Sequence, residues 1–350
     1  MIGAATGVLC LERSPVPSDY PNAGVKIGFA RRARKNLDEV VGMGVEEFER
    51  EAVAARFRPD GKVWRVHPRV NVYVDATTRC PYRCGFCIAN TVDGRLRCGD
   101  IAPNDLRRNF DVLDRSGINY TVQLTGGEPL LHPEIDDVFD VLLEQGKKFV
   151  VNTNLVRQSA KLCQVDHVNL SCHHYNERLD SQIFGSKRDH EGIRRRIGRG
   201  LADKVRANCN LIGGYVDTYG EIMQYIAFAY WYLGVRNVSF SWLTALPRNS
   251  MYSEDIIEYV EMRPVPGMED ILNRLDSTSH WRFLKYRGGV ACYYEIWEYM
   301  AYEKPVLVQF KHSDNRYLDA VDRIPDLVPD IIMHPNGIMS ASWDMRLKVL

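Results

Sequence analysis

The sequence predicts an α/β protein built on a parallel sheet with helices packed outside it. Between about Val70 and Leu243, short β-branched runs alternate with longer runs of helical periodicity. About six such units fit in roughly 170 residues, a spacing that favours parallel strands joined by crossover helices. Several strand runs end in glycine, asparagine or serine, residues that suit turns and ligand-facing loops. The chain has 350 residues, enough to bury a large core as one domain or two.

Each element follows from its local pattern. Val72 to Ala76 alternates and is β-branched, which predicts a strand. Asn104 to Ser116 sets Leu106, Phe110, Val112 and Leu113 at helical spacing. Tyr120 to Leu124 reads as a buried strand, Glu134 to Gln145 as a helix, and Lys148 to Asn152 as a strand. A short helix is expected near Arg157 to Cys163, then a strand from Val165 to Ser171 and a helix from His190 to Asp203. Val205 to Ile212 is a strand, Thr218 to Leu233 a helix, and Arg236 to Trp242 a final strand.

The flanks are less regular. Residues 1–69 hold a polar, proline-bearing start and one amphipathic helix, about Leu37 to Arg56, expected to cover the open side or base of the core. Residues 244–350 form a C-terminal α+β region expected to cover a substrate. It is rich in aromatic and charged residues: Trp281, Tyr286, Arg287, Tyr293, Tyr294, Trp297, Lys311, His312, Arg316 and Tyr317. Near its end, Asn336-Gly337 predicts the turn of a hairpin. The expected division is therefore 1–69, 70–243 and 244–350.

Composition narrows the function. Lys and Arg number 45 and so do Asp and Glu, giving zero net charge, which argues against a generic nucleic-acid footprint. The basic runs Arg31 to Lys35 and Arg194 to Arg199 read as solvated helix faces. No secretory signal is visible, and no apolar run is long enough to cross a bilayer. The nine cysteines include three in one loop, and Cys10, Cys98, Cys163, Cys172, Cys209 and Cys292 show no framework spacing. A cytoplasmic, reducing location is expected.

The chemistry concentrates in the stretch C-P-Y-R-C-G-F-C. Cys80, Cys84 and Cys87 have C-x3-C-x2-C spacing, with Phe86 just before the third cysteine. Three thiolates so spaced can hold three irons of a [4Fe–4S] cube and leave the fourth open. Four-cysteine electron-transfer clusters use other spacings. Structural zinc needs a fourth ligand, which Cys98 could supply as part of a non-catalytic interaction protein. A second motif, T-G-G-E-P, begins its glycines 39 residues after Cys87. Gly126 and Gly127 permit close backbone approach, and the Glu128 carboxylate before Pro129 suits an ammonium group. Both motifs follow strand ends, where ligands sit in parallel sheets.

In order and spacing, these two motifs resemble the radical S-adenosylmethionine (radical SAM) superfamily over roughly Val70 to Leu243. The resemblance implies a partial (βα)6 barrel, a [4Fe–4S] cluster on Cys80, Cys84 and Cys87, and S-adenosylmethionine as second cofactor. It places Phe86 near the adenine and Gly126, Gly127 and Glu128 at the methionine amino group. Asn152 and Asn154, Ser171, and Asn208 and Asn210 lie at strand positions that suggest further cofactor contacts. The run R-L-D-S-Q-I-F-G, then H-E-G-I, also resembles the family. The implied reaction cleaves S-adenosylmethionine reductively, and the resulting 5′-deoxyadenosyl radical takes hydrogen from a substrate.

A flavodoxin- or ferredoxin-type electron donor is implied, with no nucleic-acid or membrane partner. Only Cys292 lies beyond Cys209, so extra clusters are not expected. The substrate expected is a small polar molecule, a nucleoside, sugar or amino acid, as in single-cluster natural-product enzymes that decarboxylate sugar-acid nucleosides. Epimerisation, dehydration and peptide modification are the alternatives. Cys172, Cys209 or Cys292 would serve an epimerase as hydrogen donor, and His173 or His174 a decarboxylase or dehydratase as acid or base.

Overall fold

The computed structural model describes residues 50–58, 61–87, 99–243, 253–265, 267–289, 292–313, 324–342 and 349–350. Twelve strands among them form one sheet: β1 (Val53–Ala55), β2 (Trp64–Asp75), β3 (Tyr120–Thr125), β4 (Phe149–Thr153), β5 (His167–Ser171), β6 (Val205–Leu211), β7 (Asn237–Trp242), β8 (Trp281–Gly289), β9 (Cys292–Tyr299), β10 (Val306–Ser313), β11 (Leu327–Met333) and β12 (Met339–Ser340). The spatial order is β12-β11-β2-β3-β4-β5-β6-β7-β10-β9-β8, with β1 beside β2. Every pair from β11 through β10 is parallel. The six expected strands thus form the middle of the run, and the C-terminal region adds one parallel strand to each side.

Helices α1 (Pro103–Ser116), α2 (Ile135–Glu144), α3 (Glu177–Ile183), α4 (His190–Leu201), α5 (Tyr219–Ala227), α6 (Glu254–Glu261) and α7 (Met268–Asp276) complete the described elements, with 3₁₀ turns at Pro129–Leu131 and Ala160–Gln164. α1 starts with a proline in its first turn and stops at Gly117, whose left-handed φ of 74° closes the end. It buries Leu106, Phe110 and Leu113. α5 is capped by the Thr218 side chain and runs on as a π-turn over Phe228–Tyr232. The hairpin of β11 and β12 turns at Asn336-Gly337 as expected, with Gly337 at φ 79°.

Two elements differ from expectation. The N-terminal helix, expected to run to Arg56, lies mostly outside the described residues. Arg50 and Glu51 are helical, but the helix stops there, because Val53–Ala55 pairs antiparallel with Trp64–Val66. Pairing buries Ala55, Phe57 and Trp64, which outweighs a weak local helix preference. The second difference is α3, seven mostly polar residues capped by Asn176, which accepts from the amides of Arg178 and Leu179. Its polar sequence lacks the apolar stripe that marks a longer helix.

Strand alternation separates two faces. On β6, Val205, Ala207, Cys209 and Leu211 are buried, whereas Arg206, Asn208 and Asn210 are half-buried on the opposite face. β3 repeats this, with Val122 and Leu124 buried and Gln123 and Thr125 half-buried. The buried rows meet the helices. The polar rows face the concave side, the lumen, where a ladder of side chains crosses four strands. Asn152 donates to Gln123 at 3.5 Å, Asn169 to Asn152 at 2.8 Å, and Arg206 to Asn169 at 3.0 and 2.7 Å. A fully packed barrel would fill this space with layers of branched apolar side chains.

Candidate active site

The cysteine loop leaves the carboxyl end of β2 and is gripped from several sides. The amide of Gly127 donates to the Thr77 carbonyl at 2.7 Å, and the amide of Glu128 to the Arg79 carbonyl at 2.7 Å. A Cβ on Gly126 would lie 2.6 Å from the Thr77 oxygen, and one on Gly127 would lie 2.5 Å from the Arg79 oxygen. Gly126 also has φ 136°, open only to glycine. The two glycines therefore let the end of β3 lie directly on the backbone leading into Cys80. Asp100 ties the same segment through Thr77 and through a 2.9 Å ion pair with Arg79.

The far side of the loop rests on residues after β5 and on α6. The Arg83 amide donates to the Phe184 carbonyl at 2.8 Å. Phe86 meets the edge of His173, with centroids 5.2 Å apart, and His173 stacks on Phe184 at 4.9 Å. Gly85 lies under the Tyr259 ring of α6, where a Cβ would come within 2.2 Å of the ring. Arg263 lies 3.9 Å from the centroid of that ring.

Glu128 is wholly buried and ties two strand ends together. It accepts from the Leu130 amide at 3.0 Å, the Thr153 hydroxyl at 2.6 Å and the Asn154 amide at 2.7 Å. Burial pushes its carboxyl above the usual range, against these three bonds. Pro129 opens the 3₁₀ turn that follows.

Sequence reasoning missed the group that organises the next strand end, Asp180 with Arg188. Oδ1 of Asp180 accepts from the amides of His173 and His174 at 2.8 and 3.1 Å. Its Oδ2 pairs with Arg188 Nε and with His190 Nε2, each at 2.9 Å. Burial opposes ionisation of Asp180, but the His190 hydrogen bond and the Arg188 charge overcome it and hold the group down at about 2. Arg188 also donates to the carbonyls of Ser171 and Asn154, and its guanidinium lies 3.9 Å from the Phe184 ring centroid and 4.8 Å from that of Tyr82. One buried pair thus joins β4, β5 and the cysteine loop. The acid and base in R-L-D and S-K-R were its only trace in the sequence.

His173 and His174 are buried, and burial lowers both to about 4, so they are neutral near pH 7. Each Nδ1 accepts a backbone amide, from Asn210 at 3.1 Å and from Asn176 at 2.9 Å. Cys172 and Cys209 lie on the helix side of the sheet. The Cys172 sulfur is 3.8 Å from both Asp180 and His190, and Cys209 donates to the His173 carbonyl at 3.3 Å. Cys292 starts β9, opposite Ser313.

The loop geometry suits a bulky cluster better than one zinc. Zinc–sulfur bonds of about 2.3 Å put tetrahedral ligands roughly 3.8 Å apart. Among the described residues, the trio of metal-capable side chains whose ligand atoms all lie within 4.8 Å is Cys172, Asp180 and His190, not the three loop cysteines. In that trio Arg188 already occupies the cation's place against Asp180. Cys98 falls outside the described residues. Burial and the neighbouring Cys87 and Cys80 raise the Cys84 thiol well above its ordinary value, so stable thiolates here call for bound positive charge.

Two buried acceptors near the loop have no hydrogen-bond partner among the described residues: Oδ1 of Asn154 and Oδ1 of Asn208. Asn152 is engaged in the polar ladder, and the backbone of Ser171 in the Arg188 brace. The three cysteines, Phe86, the Gly126–Glu128 turn and the ends of β4, β5 and β6 thus converge on one end of the sheet. That arrangement offers thiolates for a cluster and unsatisfied amide oxygens for a polar organic cofactor.

Residues 74–224 match the family model described as the Radical SAM superfamily. The chain is 26% identical over 175 residues to the probable GTP 3′,8-cyclase of Aeropyrum pernix, covering 46% of this chain and 48% of that protein. It is 29% identical over 80 residues to the antilisterial bacteriocin subtilosin biosynthesis protein AlbA of Bacillus subtilis, covering 23% of this chain and 17% of that protein. Streptococcus suis SuiB bound to S-adenosylmethionine superposes with a TM-score of 0.40 at 17% identity, covering 52% of this chain and 41% of SuiB. The chain spans less than half the length of each of these proteins.

Proposed function

The chain carries a radical SAM domain over residues 74–224, a class that uses a [4Fe–4S] cluster and S-adenosylmethionine, and from that premise we propose that it is an enzyme acting on a small polar substrate. When bound, the cluster would supply the electron for reductive cleavage of S-adenosylmethionine, whose adenosyl part would then take a hydrogen atom from the substrate. Cys80, Cys84 and Cys87 would hold the cluster. The Gly126–Glu128 turn fixes the loop that carries them, and Asn154 and Asn208 offer acceptors to the polar groups of the second cofactor. Phe86, packed on His173, shields one side from water.

The observation that carries this reading is the convergence of the three-cysteine loop with the Gly-Gly-Glu turn through two 2.7 Å backbone hydrogen bonds. The polar lumen below supports a hydrophilic substrate, a nucleoside, sugar or amino acid in a natural-product pathway, with electrons from a flavodoxin- or ferredoxin-type donor. Cys172 and Cys209 face away from that lumen, which favours a decarboxylation or elimination over an epimerisation using either thiol. The test is 5′-deoxyadenosine formation by anaerobically reconstituted protein with dithionite and S-adenosylmethionine. Wild type should form it and Cys84→Ala should not; equal yields from both would refute the assignment.

A further inference from the structure

The lumen holds two guanidiniums without an acid between them. Arg206 projects from the lumen face of β6, and its Nε and Nη2 share one acceptor, Oδ1 of Asn169. Arg287 comes from β8 and donates Nη2 to Oε1 of Gln309 at 3.0 Å, with its guanidinium 4.4 Å from the Tyr294 ring centroid. Register places Arg287 in a row with Tyr294, Lys311, Ser241 and Asn210, and hence on the same face as Arg206 and Asn208. Among the described residues, no carboxylate lies within ion-pair distance of either arginine. Burial pushes the Arg206 guanidinium below its ordinary range; Tyr294 opposes that shift and the like charge of Arg287 adds to it.

The other charges facing the lumen do not cancel this excess. Lys311 on β10 acts on Asp330 on β11, where burial raises the carboxyl to about 7. Asp330 also accepts from Asn71 at 3.1 Å. That pair sets at most one negative charge beside Lys311; Asp75 shares the face but lies at the carboxyl end of β2 against Gly126, and Glu298 on β9 is paired with Arg282. Asn169 and Gln309 orient the guanidiniums but carry no charge. Arg206 is half-buried and loses hydration, Arg287 is exposed, and the two like charges repel each other. A planar or tetrahedral anion between them would offset both costs, because a guanidinium forks naturally onto carboxylate or phosphate oxygens.

We propose that the lumen is a binding site for a small molecule that carries a carboxylate or phosphate, anchored by Arg206 and Arg287. Arg206 sits near the amino end of β6, and the cysteine loop lies at the carboxyl ends of the strands. An anion held by Arg206 therefore lies deep, and the remainder of the molecule extends along Asn208 and Asn210 towards the loop. This anchor deepens the function proposed above and rests on it only for the reaction of the bound molecule.

The test is a thermal melt of the reconstituted protein with sodium phosphate, sodium glucuronate or sodium chloride at equal ionic strength. At least one of the first two should raise the wild-type midpoint saturably by roughly 2–4 °C over chloride, as expected for a ligand of the folded state well above its Kd. The active anion identifies the group. Arg206→Gln and Arg287→Gln should each abolish the rise, Arg206→Lys should restore part of it, and Arg194→Gln on the outer surface should keep it. No rise beyond chloride, or the same rise in both glutamine variants, would overturn the proposal. An anion effect in a protein that forms no 5′-deoxyadenosine removes the cofactor reading and leaves the anchor; the opposite pair of results removes the anchor alone.

Discussion

Arg188 donates from Nε to Oδ2 of Asp180 at 2.9 Å, and neither side chain has any exposed surface. The pair lies behind the site, yet it holds the carbonyls of Asn154 and Ser171 and the amides of His173 and His174 in fixed relation. Removing one partner strands a buried charge, which costs about 3–5 kcal/mol. Arg188→Leu and Asp180→Leu should each lose about that much in urea unfolding. Iron content after reconstitution should fall with them, because Tyr82 in the cysteine loop packs on Arg188. A loss under about 1 kcal/mol in both variants would remove the pair as an organising element.

Gly127→Ala tests the contact between the two motifs. Its new Cβ would press on the Arg79 carbonyl, which is backbone and cannot swing away. Overpacking of this kind costs about 1–3 kcal/mol. The displaced segment leads into Cys80, so bound iron and sulfide per chain should drop more steeply than stability. Gly146→Ala is the comparison, since nothing lies within 4 Å of a Cβ there, although its φ of 60° carries its own strain. Equal iron loading in both variants would contradict the role given to Gly127.

Asn208→Ala should separate binding from stability. Its buried Oδ1 has no partner among the described residues, so no protein hydrogen bond to that atom is lost, and stability should change by less than about 1 kcal/mol. Affinity for S-adenosylmethionine, measured by equilibrium dialysis with the reconstituted protein, should fall about tenfold, the value of one hydrogen bond of roughly 1.4 kcal/mol. Unchanged affinity would take Asn208 out of the cofactor site.

Acid should destabilise the fold before it reaches the ordinary carboxylate range. His173 and His174 sit at about 4 in the folded chain, against about 6.5 when unfolded. The unfolded state therefore binds protons that the folded state refuses, and stability falls as pH drops from about 6.5 towards 4. Buried His173 alone accounts for up to about 3 kcal/mol of that loss. Asp180 acts lower, where its contribution disappears between about 3.9 and 2. Urea midpoints at pH 7.5, 6, 5 and 4.5 check the upper window, and a flat profile across it would contradict the neutral, buried histidines.

Most of the central sheet was legible because its strands carry a strong period of two and its helices an apolar stripe, as in Val205–Leu211 and Pro103–Ser116. The cysteine loop and the Gly-Gly-Glu turn were legible as residue types at a spacing. The sequence did not disclose that β10 and β11, far downstream, flank β7 and β2, because parallel pairing between distant segments leaves no local pattern. Nor did it single out Asp180, Arg188 or Arg206. Each is an ordinary charged residue in sequence, and only burial against specific strand ends gives it meaning.

The proposed chemistry depends on an iron that has no thiolate ligand and is open to a sulfonium-bearing cofactor. Its most direct test is electron paramagnetic resonance of the anaerobically reconstituted, reduced protein before and after S-adenosylmethionine is added. The predicted result is a [4Fe–4S]⁺ signal whose g-values shift on addition in wild type, with no such cluster signal in Cys84→Ala. A wild-type signal that ignores the additive, or a sample holding one zinc and no iron, would contradict it.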